Sequence, residues 1–112
     1  MKYEWLRRSG ESAALEADRK RWLKIVPTLP QGFTLHRESI RGYIYYRLGD
    51  RILEIGVECA PAKSYFNLLV SPEGLDDWAY PQRMPLTPDE RMEVCSAFRA
   101  WLKQQPLKTD FR

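Results

Sequence analysis

A chain of 112 residues, 44% apolar and 29% charged, has the length of one domain (residues 1–112) and the balance of an ordinary globular fold, which excludes disordered and fibrous classes. Its longest apolar runs fall well short of the ~18 residues that a membrane-crossing helix needs, and the opening Met-Lys-Tyr-Glu-Trp-Leu-Arg-Arg lacks the apolar core of a signal peptide. The net charge of +3 hides a division: residues 1–47 hold ten Lys and Arg against five Asp and Glu, whereas residues 50–93 hold four against nine. Either the two halves attract each other across the fold, or one of them attracts a partner of opposite charge.

In chain order, residues 11–26 read as a helix. Leu15, Trp22, Leu23 and Val26 fall on one side at helical spacing, and are expected to form its buried stripe. Ser12 and Ser9 compete as the N-cap, with Gly10 between them. Pro27 and Pro30 end the helix, because neither supplies an N–H to its ladder. An extra helical turn is expected over residues 3–8.

Residues 33–38 and 40–48 are extended in pattern, with Gly42 a candidate bulge or bend. A hairpin then turns at Gly49-Asp50. A two-residue loop sets Leu48 opposite Arg51, Tyr46 opposite Leu53, Ile44 opposite Ile55 and Gly42 opposite Val57. Ile44, Tyr46, Leu53, Ile55 and Val57 therefore share one face. Tyr43, Tyr45, Arg47, Ile52, Glu54 and Glu58 share the other. Burial of the apolar set should pin this register, since a one-residue slip exchanges the faces.

Residues 59–64 form a turn. Residues 65–71, Tyr-Phe-Asn-Leu-Leu-Val-Ser, are apolar at both parities, as in a strand covered on both sides. Residues 72–87 read as an irregular loop. Thr87-Pro-Asp-Glu90 then carries a capping box with Pro at the first helical position, so a second helix is expected from there to about Gln104. Val94, Cys95, Phe98, Trp101 and Leu102 make its apolar stripe. The expected architecture is a two-layer α+β domain: an antiparallel sheet of three to four strands, with an N-terminal and a C-terminal helix packed on one face. The Tyr43–Glu58 face would be left partly open.

The chemistry-bearing residues do not assemble into a catalytic signature. His36 is the one histidine, in the middle of an extended segment, and one histidine does not supply the usual multi-histidine metal site. Cys59 and Cys95 lack a C-x-x-C spacing and read as small buried hydrophobes in a reducing cytoplasm. Glu54 and Glu58 lie roughly 13 Å apart along a strand, wider than the paired carboxylates of a glycosidase. Asp76 and Asp77 lack EF-hand spacing. Catalytic, metal and cofactor roles are accordingly assigned to no residue. Trp78 and Tyr80, on a long loop bounded by prolines, either fold back onto the core or anchor a partner.

Within residues 43–104, the run Ile-Leu-Glu-Ile-Gly-Val-Glu, then Tyr-Phe-Asn-Leu-Leu-Val-Ser-Pro-Glu, a Trp-containing loop and a capped terminal helix resemble small bacterial proteins, among them immunity-type proteins that neutralise a cognate toxin. The resemblance implies a cytoplasmic, non-catalytic, partner-binding protein and carries over no site residue. The residues themselves suggest a non-enzymatic protein-binding domain. Tyr43, Tyr45, Glu54, Glu58, Asp76, Asp77, Trp78 and Tyr80 would meet a protein partner with a basic surface, or the open sheet face would meet a second copy. Two alternatives stand beside it: a nucleic-acid-binding module built on the basic N-terminal helix, and a small-molecule binder or enzyme using His36 or the loop acids.

Overall fold

The computed structural model describes residues 4–38, 40–59, 68–105 and 109–111. A long helix α1 (Glu4–Ile25) leads through a short 3-10 turn (Val26–Thr28) into β1 (Gly32–Glu38), β2 (Arg41–Leu48) and β3 (Arg51–Cys59). β4 (Leu68–Val70) follows, then a 3-10 turn (Pro72–Leu75) and a small two-stranded ribbon of β5 (Asp77–Trp78) and β6 (Met84–Pro85). Helix α2 (Pro88–Gln104) and strand β7 (Thr109–Phe111) complete the chain. The main sheet has the order β1-β2-β3-β4-β7, antiparallel through β4, with β7 added parallel at the edge.

The hairpin register is the one its turn dictates: Leu48 faces Arg51, Tyr46 faces Leu53, Ile44 faces Ile55 and Tyr43 faces Gly56. Gly49 takes φ +61°, the left-handed conformation that a two-residue turn requires. Gly42 sits inside β2 in regular pairing with Arg37 and Val57 and is no bulge.

The α+β class, the antiparallel sheet and the two terminal helices agree with expectation, but the helices lie on opposite faces. Helix α2 drives Val94, Phe98 and Leu102 into a cluster with Ile44, Leu53, Ile55, Val57, Leu68 and Val70. Phe33 stacks on Tyr46 at 4.3 Å and on Phe98 and Trp101 at 5.4 Å, extending that packing to the first strand. Helix α1 instead covers the second face, where Trp22 and Leu29 pack with Tyr45 and Ile52. The physical reason is Ile52 and Tyr45: a face carrying them is costly to leave in water, despite the glutamates beside them.

Helix α1 also differs in extent. It runs unbroken through Gly10, since the flanking Ala, Leu, Glu and Arg residues are strong helix formers. Only Trp22 of the expected stripe is fully buried; Leu15 and Leu23 are 69% and 67% exposed and Val26 is half-buried. Residues 60–67, which include most of the expected turn and the start of the fourth strand, lie outside the described residues.

The segment after β4 is shorter on irregular structure than expected. Ala79 N–H donates to the Ile52 carbonyl (2.8 Å) and Ile52 N–H to the Tyr80 carbonyl (3.1 Å), so this segment stitches itself beside the start of β3. Gly74 lies so close to β3 that an added Cβ would stand 2.5 Å from the Glu54 carbonyl oxygen and 2.7 Å from the Ile55 Cα.

At the start of α2 the capping box is complete. Thr87 Oγ1 accepts from Glu90 N–H at 3.2 Å, and the Glu90 carboxylate accepts from Thr87 N–H at 3.0 Å. The same carboxylate pairs with Arg51 at 2.7 Å, and these bonds hold it below the usual carboxylate range. Thr87→Ala is expected to cost about 1 kcal/mol of stability, read by chemical denaturation, because it orphans a helix-start N–H.

Candidate functional site: the cleft beneath the N-terminal helix

The junction between α1 and the second sheet face is built around a carboxylate. Glu54, inward on β3, accepts both guanidinium nitrogens of Arg21, the second at 3.3 Å, and the Tyr45 hydroxyl at 3.0 Å. Arg21 also reaches Asp18 at 2.9 Å, one helical turn back. The basic first half and the acidic middle of the chain therefore do meet across the fold. Hydrogen bonding to Glu54, above all, raises the Arg21 pKa and fixes its charge. Burial, and then the Glu54 charge, pushes the Tyr45 hydroxyl well above its ordinary value of about 10.

That raised value has a sign. The neutral Tyr45 hydroxyl stabilises the fold fully below the ordinary tyrosine pKa, and its contribution is lost as pH rises toward the folded value. In a spectrophotometric alkaline titration, Tyr45 is expected to ionise late, and Tyr45→Phe to remove that late step.

Two concavities flank the Arg21–Glu54 pair. The larger, about 430 Å3, is walled by Leu15, Arg19, Trp22 and Leu23 of α1 and by the segment from Ala79 to Arg83. Trp22 forms its floor, edge-on to Tyr45 at 5.9 Å and tilted against Tyr80 at 5.4 Å. Tyr80 is held there by the backbone stitch to Ile52, next to a cis peptide at Pro81. The smaller, about 370 Å3, is lined by Arg21, Ile25, His36, Tyr43, Tyr45 and Glu54. His36 stands edge-on to Tyr45 at 5.3 Å. A concave site thus exists at His36, but the carboxylate within it is already engaged by Arg21 and Tyr45.

The residues expected to form an open recognition face are dispersed. Tyr45 is buried and Glu54 lies under α1, which corrects the expectation that both look outward. Tyr43 remains at the surface, 42% exposed, and half-buried Glu58 sits opposite Arg41 further along the hairpin. Asp76 and Asp77 are each met by an arginine, Arg91 at 3.0 Å and Arg83 at 3.5 Å, so neither is an unbalanced loop acid. Trp78 is 1% exposed, folded back into the α2 cluster with Arg51 over its ring at 4.6 Å. Tyr80 turns to the other side and joins the cleft. Of the expected set, Tyr43, Tyr45 and Glu54 therefore come together at the smaller concavity, and Glu54 and Tyr80 at the larger.

The cleft residues that sequence reasoning missed are Leu15, Arg21, Trp22 and Leu23, because the leucines read as core. The available signal was the +5 and −5 division of charge, which asks for an arginine of the first half on an acid of the second.

Cys95 is a free thiol. Among the described residues no group of three or more His, Cys, Asp and Glu gathers to hold a metal ion, and no helix is long and apolar enough to cross a membrane. Comparisons with family models, curated proteins and solved structures return no match for the chain.

Proposed function

We propose that the chain is a non-enzymatic protein-binding domain, acting in the cytoplasm as an immunity-type inhibitor that blocks a toxin by steric occlusion. The observation that carries the reading is the pair of outward leucines, Leu15 and Leu23, about two-thirds exposed beside a cleft of about 430 Å3. Tryptophan, tyrosine and arginine are the residues that most often dominate binding energy, and Trp22, Tyr80, Arg19 and Arg83 line this cleft. An apolar anchor from a partner would enter between α1 and the 79–83 segment, with the leucines excluding water around it. A partner with a basic surface would have to displace Arg21, Arg83 and Arg91 from Glu54, Asp77 and Asp76. Recognition is therefore assigned to the cleft rather than to the acids.

The test uses the full chain as bait in its native host, compared with a Leu15→Asp, Leu23→Asp variant. Both side chains are exposed, so the variant is expected to fold with an unchanged melting temperature. The wild type should retain a protein whose activity it inhibits, and the variant should bind that protein about 10- to 100-fold more weakly. Equal binding by both forms, or a captured partner whose activity is unaffected, overturns the reading.

A further inference from the structure

The open edge of the main sheet is a second surface. β1 stands at one end of the order β1-β2-β3-β4-β7 and, among the described residues, pairs with β2 alone. The phase of the hydrogen bonds shows what it presents. Ile52 and Gly56 of β3 bond on the side away from β2, Ile52 N–H donating to the Tyr80 carbonyl and the Gly56 carbonyl accepting from Ser71 N–H. Residues of an antiparallel strand alternate between its two sides, so Arg51, Leu53, Ile55 and Val57 bond to β2, at Leu48, Tyr46, Ile44 and Gly42. Tyr43, Tyr45 and Arg47 then bond to β1, at His36, Thr34 and Gly32. Phe33, Leu35 and Arg37 are left with backbone N–H and C=O groups directed off the edge. Such an edge is a template for another strand, and domains usually blunt it with proline, lysine or a bulge. β1 has none of the three: its seven residues, Gly-Phe-Thr-Leu-His-Arg-Glu, pair with β2 without interruption. Helix α1 is carried away from this edge, meeting Glu54 of β3 at Arg21 and residues 79–83 at Leu15 and Arg19.

We propose that this edge is a self-association surface, occupied by β1 of a second copy in antiparallel orientation, so that one sheet runs through both. Any extended chain offers amides; the side chains select the second copy. Leu35 is the midpoint of β1 and one of its three outward residues. A two-fold axis there pairs Leu35 with Leu35, Phe33 with Arg37 and Arg37 with Phe33, each pair exchanging two hydrogen bonds. Every outward group finds a partner within the strand, whereas a slip of two residues in either direction strands one of them. On the α2 side, the half-buried Leu35 meets its own apolar counterpart, and each exposed Arg37 comes level with a Phe33 ring. Phe33 and Leu35 already flank the α2 cluster, so the clusters of the two copies become continuous. On the other side Thr34 comes level with His36, a hydroxyl opposite an imidazole. Arg37 and Glu38 stand together at one end of the strand, so inversion keeps the charged ends apart and sets no like charges opposite. A segment with a charge at its centre would instead press that charge against Leu35.

One strand pair lies at the small end of protein interfaces, so the dissociation constant is expected on the order of 10–100 μM. Sedimentation equilibrium of the full chain across that range should show a monomer–dimer equilibrium. Leu35→Lys and Leu35→Glu each set like charges together on the axis and should raise the constant at least about tenfold. Mixing the two should restore a one-to-one heterodimer, which follows only if residue 35 lies opposite itself. Arg37→Pro removes an outward N–H while sparing the ladder to β2, and should weaken the dimer to a similar degree. Circular dichroism checks the fold of each, and Arg37→Pro decides the matter where a Leu35 variant loses structure. A wild type that stays monomeric across that range, folded variants that dimerise as the wild type does, a mixture of folded Leu35 variants that fails to associate, or a foreign strand seated on β1 of a monomeric wild type would each overturn the proposal. These substitutions leave the walls of the larger cleft untouched, so failure here is separable from failure of the cleft experiment.

Discussion

Trp22→Ala is expected to release α1 from the sheet while the remainder of the domain stays folded. Trp22 is 4% exposed, the one buried side chain among the described side chains of α1, and packs in a cluster with Tyr45 and Ile52 and against Tyr80. Truncating a buried tryptophan costs about 3–5 kcal/mol. Without it the small second cluster keeps Leu29, Tyr45 and Ile52 but, from the described side chains of α1, only the half-buried Ile25, which is expected to be too little to hold the helix. Arg21–Glu54 is too weak a substitute: Arg21 is substantially solvated, and exposed pairs contribute about 0–1 kcal/mol. Hydrogen exchange should accelerate across residues 15–25 and leave the α2 amides protected. Loss of protection throughout, or none anywhere, contradicts this division of the core. The same substitution removes the floor of the cleft, so partner binding should fall with it.

Phe98→Ala is expected to act globally. Phe98 is 2% exposed at the centre of the larger cluster and stacks with Phe33 at 5.4 Å and Trp101 at 6.4 Å, linking α2 to the first strand. The loss, about 3–5 kcal/mol, falls on the packing that joins α2 to the sheet. For a chain of this length that lowers the melting temperature by on the order of 10–20 °C. Calorimetry should show one transition moved down, with α1 and α2 melting together. A shift of a few degrees only would show that Phe33 and Trp101 close over the vacancy.

These two residues also mark what was legible in the chain. The α2 side was: Thr87-Pro-Asp-Glu90, the spacing of Val94, Phe98 and Leu102, and the Gly49-Asp50 turn are local signals, and each specifies its own geometry. Pleat parity was equally local, so the two faces were assigned correctly. What was not legible was which elements would cover them. The face with Tyr45, Ile52 and Glu54 reads as open until Arg21 is placed on Glu54, and that pairing spans distant residues with no periodic signature. Leu15 and Leu23 misled for a related reason: helical spacing shows which residues share a side, not whether the sheet extends beneath them, and both stay about two-thirds exposed while Trp22 is buried. Trp78 and Tyr80, two residues apart, part to opposite faces because the backbone between them is bonded to Ile52 like a strand.

The position of Trp22 sets an order on assembly. Its partners on β2, on β3 and beside Pro81 all lie downstream of it. As the chain leaves the ribosome, α1 is synthesised before these partners and lacks them until the hairpin and the stretch to Tyr80 have emerged. Helix α1 is thus made before every surface it docks on, and until Glu54 has emerged Asp18 alone meets Arg21.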